Sequence, residues 1–490
     1  MKSGMGALAA VCLAAACGTG RSESETTTEE DPRRVLVVSL DTTRADQLGA
    51  YGGPASTPHL DALAARSAVF TAAQAPAPTT LASHVSMLSG NYPQTHGVPL
   101  NGSVIHPDNV MLAERLRAAG FHSAAFLGSF ALDARNGFDQ GFDHFDAEFD
   151  LLLGDSGDDQ DQRRADRVTD AVLDYVDGRP GESVFLFVHY FDPHHPYDPP
   201  APYDRGRGEA GRPLGTLAEL SLATHEHHRR AGIEPVSQND LYLQGLTREL
   251  LEDHANEATD LDRELAELYR AEIEYMDEHL GRLFDGLAQR GWDEDALVLV
   301  TADHGETFHE HADTWNHGLW VHETTVHVPL IVSAPGALGR GLRVTDPVST
   351  VDLVPTVLDL LGIEADGRIE GRSLAPYLRG ERLPPRPVFT EATQPKQQAG
   401  GTWRNSPKAK AIRVGSWKYV WAPYLEYEAL FELSSDPDEL VNRIDDPDAA
   451  LQLAPLRETL RAWSASARPL PSNMDLDPET VQKLRDMGYF

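Results

Sequence analysis

With 490 residues, a hydrophobic fraction of 41% and a formal charge of −34, the chain has the length for one large α/β core plus a smaller domain and the composition of a folded globular protein. So strong a negative charge excludes a broad nucleic-acid face, because nothing would neutralise phosphates over a wide surface. An anionic substrate needs positive charge placed locally, by a metal ion or by histidines.

Residues 1–17 read as an export signal: Lys2 precedes an apolar, alanine-rich run from Met5 to Ala16 that is too short to span a bilayer as a mature helix. Cys17 follows Leu13-Ala14-Ala15-Ala16 and precedes Gly18, close to a bacterial lipobox, although Ala14 stands where that pattern prefers leucine. The expectation is an exported lipoprotein, facing the periplasm or held at the outer membrane through Cys17. Ordinary cleavage after Ala16 is the alternative. Cys12 and Cys17 are the only cysteines, so the mature domain is expected to hold no disulfide despite export. Residues 18–33 are polar and charged, as a flexible tether would be.

The strand Arg34–Leu40 (RVLVVSL) runs into Asp41-Thr42-Thr43-Arg44-Ala45-Asp46. Thr57-Pro58 opens a helix expected to reach about Ala68. In Ala75–Gly90 (APAPTTLASHVSMLSG) a short helix is expected over Leu81–Leu88, which sets Thr80 at its N-terminus. A helix over Asn109–Ala119 and a short strand over Phe121–Leu127 establish a βαβ rhythm. The strand Ser183–His189 ends in Tyr190-Phe191-Asp192-Pro193-His194-His195-Pro196-Tyr197. Residues 201–260 lose periodicity and read as an insertion whose histidines are solvated. A long helix over Asp262–Gln289 crosses into the strand starting at Ala296, and Asp303, His304 and Glu306 follow that strand's carboxyl end. A strand Leu330–Ser333 and a helix Asp352–Leu361 complete a first domain, 34–385. Residues 386–490 change texture: four short segments with turn signals between them suggest an antiparallel sheet, followed by a helix over Pro478–Met487.

Near-continuous apolar strands between helices belong to mostly parallel sheets, and such sheets collect ligands at the carboxyl ends of their strands. Two such ends deliver Asp41 and the pair Asp303-His304, ligand types for a divalent metal. Thr80 at a helix N-terminus sits beside exposed N–H groups and the positive end of the helix dipole, which suits a tetrahedral anion and an ionised alkoxide. Taken alone, Thr80 reads as a plain cap.

Leu40–Asp46, Thr80–His84 with Met87-Leu88-Ser89-Gly90-Asn91-Tyr92-Pro93, and Thr301–Glu306 together resemble the sulfatase family of the alkaline phosphatase superfamily. Asn316-His317-Gly318, Glu370-Gly371-Arg372-Ser373-Leu374, Trp417-Lys418-Tyr419 and the tail Met487-Gly488-Tyr489 fit as well. The resemblance implies an alkaline-phosphatase-like sandwich, a large mixed and mostly parallel sheet between helices, with a smaller C-terminal antiparallel sheet and a terminal helix. It places Asp41, Thr80, Asp303 and His304 on the metal positions and Thr80 on the nucleophile. His84 takes the place of an arginine that holds the nucleophile and ester oxygens. His194 matches a histidine that contacts sulfate, and His317 a group that polarises or protonates the leaving group. Asp192 with His194 and His317 would form a second metal site, as in two-metal relatives.

Departures from the family pattern refine this. The best-known sulfatases carry cysteine or serine at the nucleophile, with proline two and arginine four residues later, for oxidation to formylglycine; here stand Thr80, Ala82 and His84. Threonine cannot become that aldehyde. Thr42 also stands where calcium sulfatases have a second aspartate. The expectation is therefore a metal-dependent hydrolase of sulfate or phosphate esters in which metal-bound Thr80 attacks directly. The ion would be calcium, magnesium, manganese or zinc. Alternatives are a phosphodiesterase or phosphoglycerol-type transferase acting on envelope polymers or lipids, and a non-catalytic surface lipoprotein.

Overall fold

Strand positions follow from burial of β-branched and leucine side chains: Val35, Leu36, Val37 and Val38 are all 0% exposed. Each such side chain contributes about 1.5–3 kcal/mol when taken out of water. The computed structural model describes residues 34–153, 159–179, 182–206, 260–292, 296–311, 315–365, 367–394 and 403–471. The export signal, Cys17, the tether, most of the 201–260 insertion and the helix expected at 478–487 lie outside them.

Arg34–Leu40 is a central strand of an eight-stranded sheet. Val184–Tyr190 and Ala296–Ala302 flank it, both parallel to it. Beyond Val184–Tyr190 lie His122–Phe126 and then His144–Asp146, again parallel. On the other side Leu330–Ser333 runs antiparallel to Ala296–Ala302 and to Ala68–Phe70, and Arg343–Val344 closes the edge. The sheet is thus mixed and mostly parallel. Helices Pro58–Ala65, Ala165–Asp177 and Asp260–Ala288 pack among themselves, as do Thr80–Ser89, Leu112–Ala118 and Leu353–Leu360.

Register positions the chemistry. Leu40 pairs with Tyr190 on one side and Ala302 on the other, so three strands finish at one level. Asp41 and Asp303 are the next residues on two adjacent parallel strands and stand side by side by construction.

Val388–Glu391, Lys410–Val414, Trp417–Ala422 and Tyr427–Glu432 form the smaller antiparallel sheet. Its side chains alternate with the period of two that a pleated strand imposes. Ala411, Val420, Ala429 and Phe431 join the main core. Ile412, Tyr419 and Leu430 meet Leu453, Leu456 and Leu460 of a helix, Ala450–Ala465, which the sequence reading did not include. The buried Lys418 Nζ lies 2.9 Å from Glu323 and 2.8 Å from Glu439, tying this sheet to the turn of helix Glu323–Val326.

Candidate active site

Asp41, Asp303 and His304 are fully buried, and one ligand atom from each lies within 4.8 Å of the others. Each side chain commits its other polar atom elsewhere. Asp41 Oδ2 faces His189 Nε2 at 3.1 Å. Asp303 Oδ1 accepts the N–H groups of His304 and Thr42 at 2.8 and 3.2 Å. His304 Nδ1 lies 2.9 Å from the carbonyl of Gly305; a carbonyl can only accept, so Nδ1 carries the proton and Nε2 keeps its lone pair. What remains are Asp41 Oδ1, Asp303 Oδ2, His304 Nε2 and the Thr80 hydroxyl, all buried without a hydrogen-bond partner. Burial pushes Asp41 up to about 7 and raises Asp303 as well. Paired buried carboxylates with unspent oxygens beside an imidazole held by a backbone carbonyl are the donor set and supporting shell a divalent cation requires. These residues fit one.

Local backbone makes the approach feasible. Thr42 adopts φ 49°, a left-handed conformation uncommon outside glycine, and so turns its N–H back onto Asp303. A Cβ on Gly305 would lie 2.2 Å from the carbonyl of Thr324, so only glycine passes that point. Arg44 does not face the ligands: it pairs with Asp46 and Glu310 at 2.7 and 2.6 Å and braces the loop after Asp303.

Thr80 is the first residue of helix Thr80–Ser89, capped at Thr79 and ended by Gly90 in the left-handed conformation. His84, one turn on, places Nδ1 2.7 Å from the Thr80 carbonyl and 3.6 Å from Asp303 Oδ2. Its Nε2 lies 2.8 Å from the Ser39 hydroxyl. One imidazole thus bridges helix Thr80–Ser89, the Asp303 carboxylate and the central strand. Burial pushes His84 down to about 3 and His317 to about 4, and holds His194 well below the ordinary histidine range, so these rings are neutral.

His317 lies with its ring centroid 4.5 Å from that of His304 and 5.5 Å from that of His194, which stacks on Phe191. A row of imidazoles thereby leads away from the ligand atoms. Asp192 is not gathered into it: its Oδ1 accepts the N–H of Ala165 at 3.0 Å. Among the described residues, Asp192, His194 and His317 form no ligand group comparable to Asp41, Asp303 and His304, so the second metal site is not assembled.

Two functional neighbours escaped the sequence reading. His189 sits inside an apolar strand, where it reads as core. Asn101 lies in a loop; its Oδ1 accepts the N–H of Leu81 at 2.7 Å, which fixes the helix start beside Thr80. The signal for His189 was the register, in which it pairs with Ser39, two residues before Asp41.

Fold and site define an α/β ester-hydrolase scaffold with a group of candidate metal ligands at the strand ends. Residues 33–363 match the family model described as Sulfatase, and residues 310–466 match that described as N-sulphoglucosamine sulphohydrolase, C-terminal. The chain belongs to the sulfatase family. It is 25% identical over 482 residues to the uncharacterized sulfatase YidJ of Escherichia coli, covering 89% of this chain and 90% of that one. It is 34% identical over 192 residues to choline-sulfatase of Rhizobium meliloti, a match spanning 38% of this chain and 35% of that protein. Its fold is similar to that of the phosphonate monoester hydrolase from Silicibacter pomeroyi, with a TM-score of 0.67, 24% identity and coverage of 89% and 96%.

Proposed function

We propose that this protein hydrolyses sulfate or phosphate esters by direct attack of Thr80, without a formylglycine. The observation that carries the reading is the convergence of unspent, buried ligand atoms on Asp41, Asp303 and His304, with His84 linking Asp303 to the backbone of Thr80, whose hydroxyl is equally unspent. A divalent cation held by these four residues would supply the charge that lowers the hydroxyl's pKa and screens negative charge developing on the ester. His304 among the ligands leans away from a pure calcium site and toward ions that accept imidazole, such as zinc.

In this account Thr80 Oγ bonds to sulfur or phosphorus as the bond to the leaving oxygen breaks. His84 and Asn101 hold the Thr80 turn in place, and His317 faces the departing oxygen, which leaves as an alcohol after taking a proton. Water then cleaves the threonyl ester and restores the hydroxyl. His194 extends the imidazole row toward the organic part of the substrate. Export with attachment through Cys17 belongs to the same proposal and makes extracytoplasmic esters the substrates.

A panel of sulfate monoesters, phosphate monoesters and phosphodiesters, assayed with calcium, magnesium, manganese and zinc in turn, tests it. At least one ester should turn over in a metal-dependent way and cease with a chelator. Absence of turnover across the panel with metal demonstrably bound counts against the reading.

A further inference from the structure

The segment after the Asp303-His304 pair folds back on itself. Thr307 and Asn316 form an antiparallel bridge, with Thr307 N–H donating to the Asn316 carbonyl at 3.1 Å and Trp315 N–H to that of Phe308 at 2.8 Å. In that ladder Glu306 and His317 are the next pair toward the metal ligands. Their side chains meet: both carboxyl oxygens of Glu306 lie 3.3 Å from His317 Nδ1. Glu306 is 1% exposed, whereas the His317 side chain retains 10%. The backbone of Glu306 is pinned too, its carbonyl accepting from Arg44 Nη1 at 3.2 Å. None of the ligand atoms on Asp41, Asp303 or His304 is satisfied by Glu306, so its carboxyl group serves another purpose.

We propose that Glu306 is a positioning residue that holds His317 by Nδ1 and thereby turns Nε2 toward the leaving oxygen of the ester. This rests on the reading above, in which His317 acts at the leaving group. With Nδ1 committed to Glu306, Nε2 is the one ring nitrogen left to meet substrate. The neutral ring accepts at Nδ1 from the Glu306 carboxyl group and carries its own proton on Nε2; that proton passes to the leaving oxygen as the oxygen takes the electrons of its broken bond, the carboxyl proton moves to Nδ1, and Nε2 is left with a lone pair. A histidine hydrogen-bonded by a buried carboxyl group keeps one tautomer and one ring plane, and removal of such an orienting partner typically costs about 10- to 100-fold.

The test compares Glu306→Leu, Glu306→Gln, His317→Ala and the Leu/Ala double variant on a 4-nitrophenyl ester and an alkyl ester of the same acid, with metal content and thermal midpoint measured alongside. Glu306→Leu should lower kcat for the alkyl ester by about 10- to 100-fold, leave KM unchanged and affect the 4-nitrophenyl ester far less, since that leaving group departs without a proton. Glu306→Gln, whose amide N–H can still donate to Nδ1 and so hold the ring, should recover part of the loss. In the His317→Ala background the leucine should add nothing. An equal loss on both esters, additivity in the double variant, or loss of bound metal overturns the positioning role. If His317→Ala itself shows no leaving-group dependence, the assignment of His317 falls and takes the proposal with it; leaving-group dependence in His317→Ala but not in Glu306→Leu defeats the positioning role alone.

Discussion

His189 Nε2 lies 3.1 Å from Asp41 Oδ2, and both side chains are fully buried. Because strand register sets His189 beside Ser39, its ring reaches the acid that begins the loop after Leu40. Burial pushes His189 down to about 4, so the ring is neutral and donates from Nε2. This bond fixes which carboxylate oxygen faces Asp303 and His304.

His189→Ala is expected to weaken metal binding by about 10- to 100-fold, the usual effect of removing a group that orients a ligand. His189→Gln, whose amide can still donate, should retain more. Metal titration followed calorimetrically decides this, and an unchanged affinity in the alanine variant contradicts it.

His96 contributes stability that is lost on acidification. It accepts the Val98 N–H at Nδ1, 3.1 Å away, and lies 2.8 Å from Ser86 Oγ through Nε2; burial pushes it down to about 3 from an ordinary 6.5. Between those values the unfolded chain takes up a proton that the folded chain refuses, so the contribution is intact above pH 6.5 and is lost as pH falls toward 3, at about 1.4 kcal/mol per pH unit. Denaturant unfolding of metal-free protein and of His96→Asn, followed as pH falls below 6.5, should differ in slope by one proton. An equally steep limb in the variant goes against it.

His317→Ala should lower turnover of an alkyl ester by about 100-fold or more, the scale of general-acid catalysis, with the Asp41, Asp303 and His304 metal still bound. Elemental analysis of the purified variant separates the cases: metal lost together with activity would make His317 a ligand.

The strands that carry the site were legible because apolar runs between helices have few other fates; Arg34–Leu40 and Leu330–Ser333 fall where the pattern places them. The helix Ala450–Ala465 was not, since its apolar stripe is thin, with Leu453, Leu456 and Leu460 as its buried residues, and Pro455 within it reads as a helix breaker. Asp41, Thr80, Asp303 and His304 were visible as ligand types at element ends. His189, Asn101 and the pairing of Glu306 with His317 were not, because each depends on register or on a hairpin that brings distant residues together.

Thr80 as the attacking group is the central claim. Thr80→Ser should keep substantial activity, and Thr80→Ala should lose it without a change in fold or bound metal. Most directly, the enzyme quenched within a turnover of its best ester and digested for peptide mass analysis should carry one sulfuryl or phosphoryl group on Thr80. An adduct on another residue, or full activity in Thr80→Ala, contradicts the account.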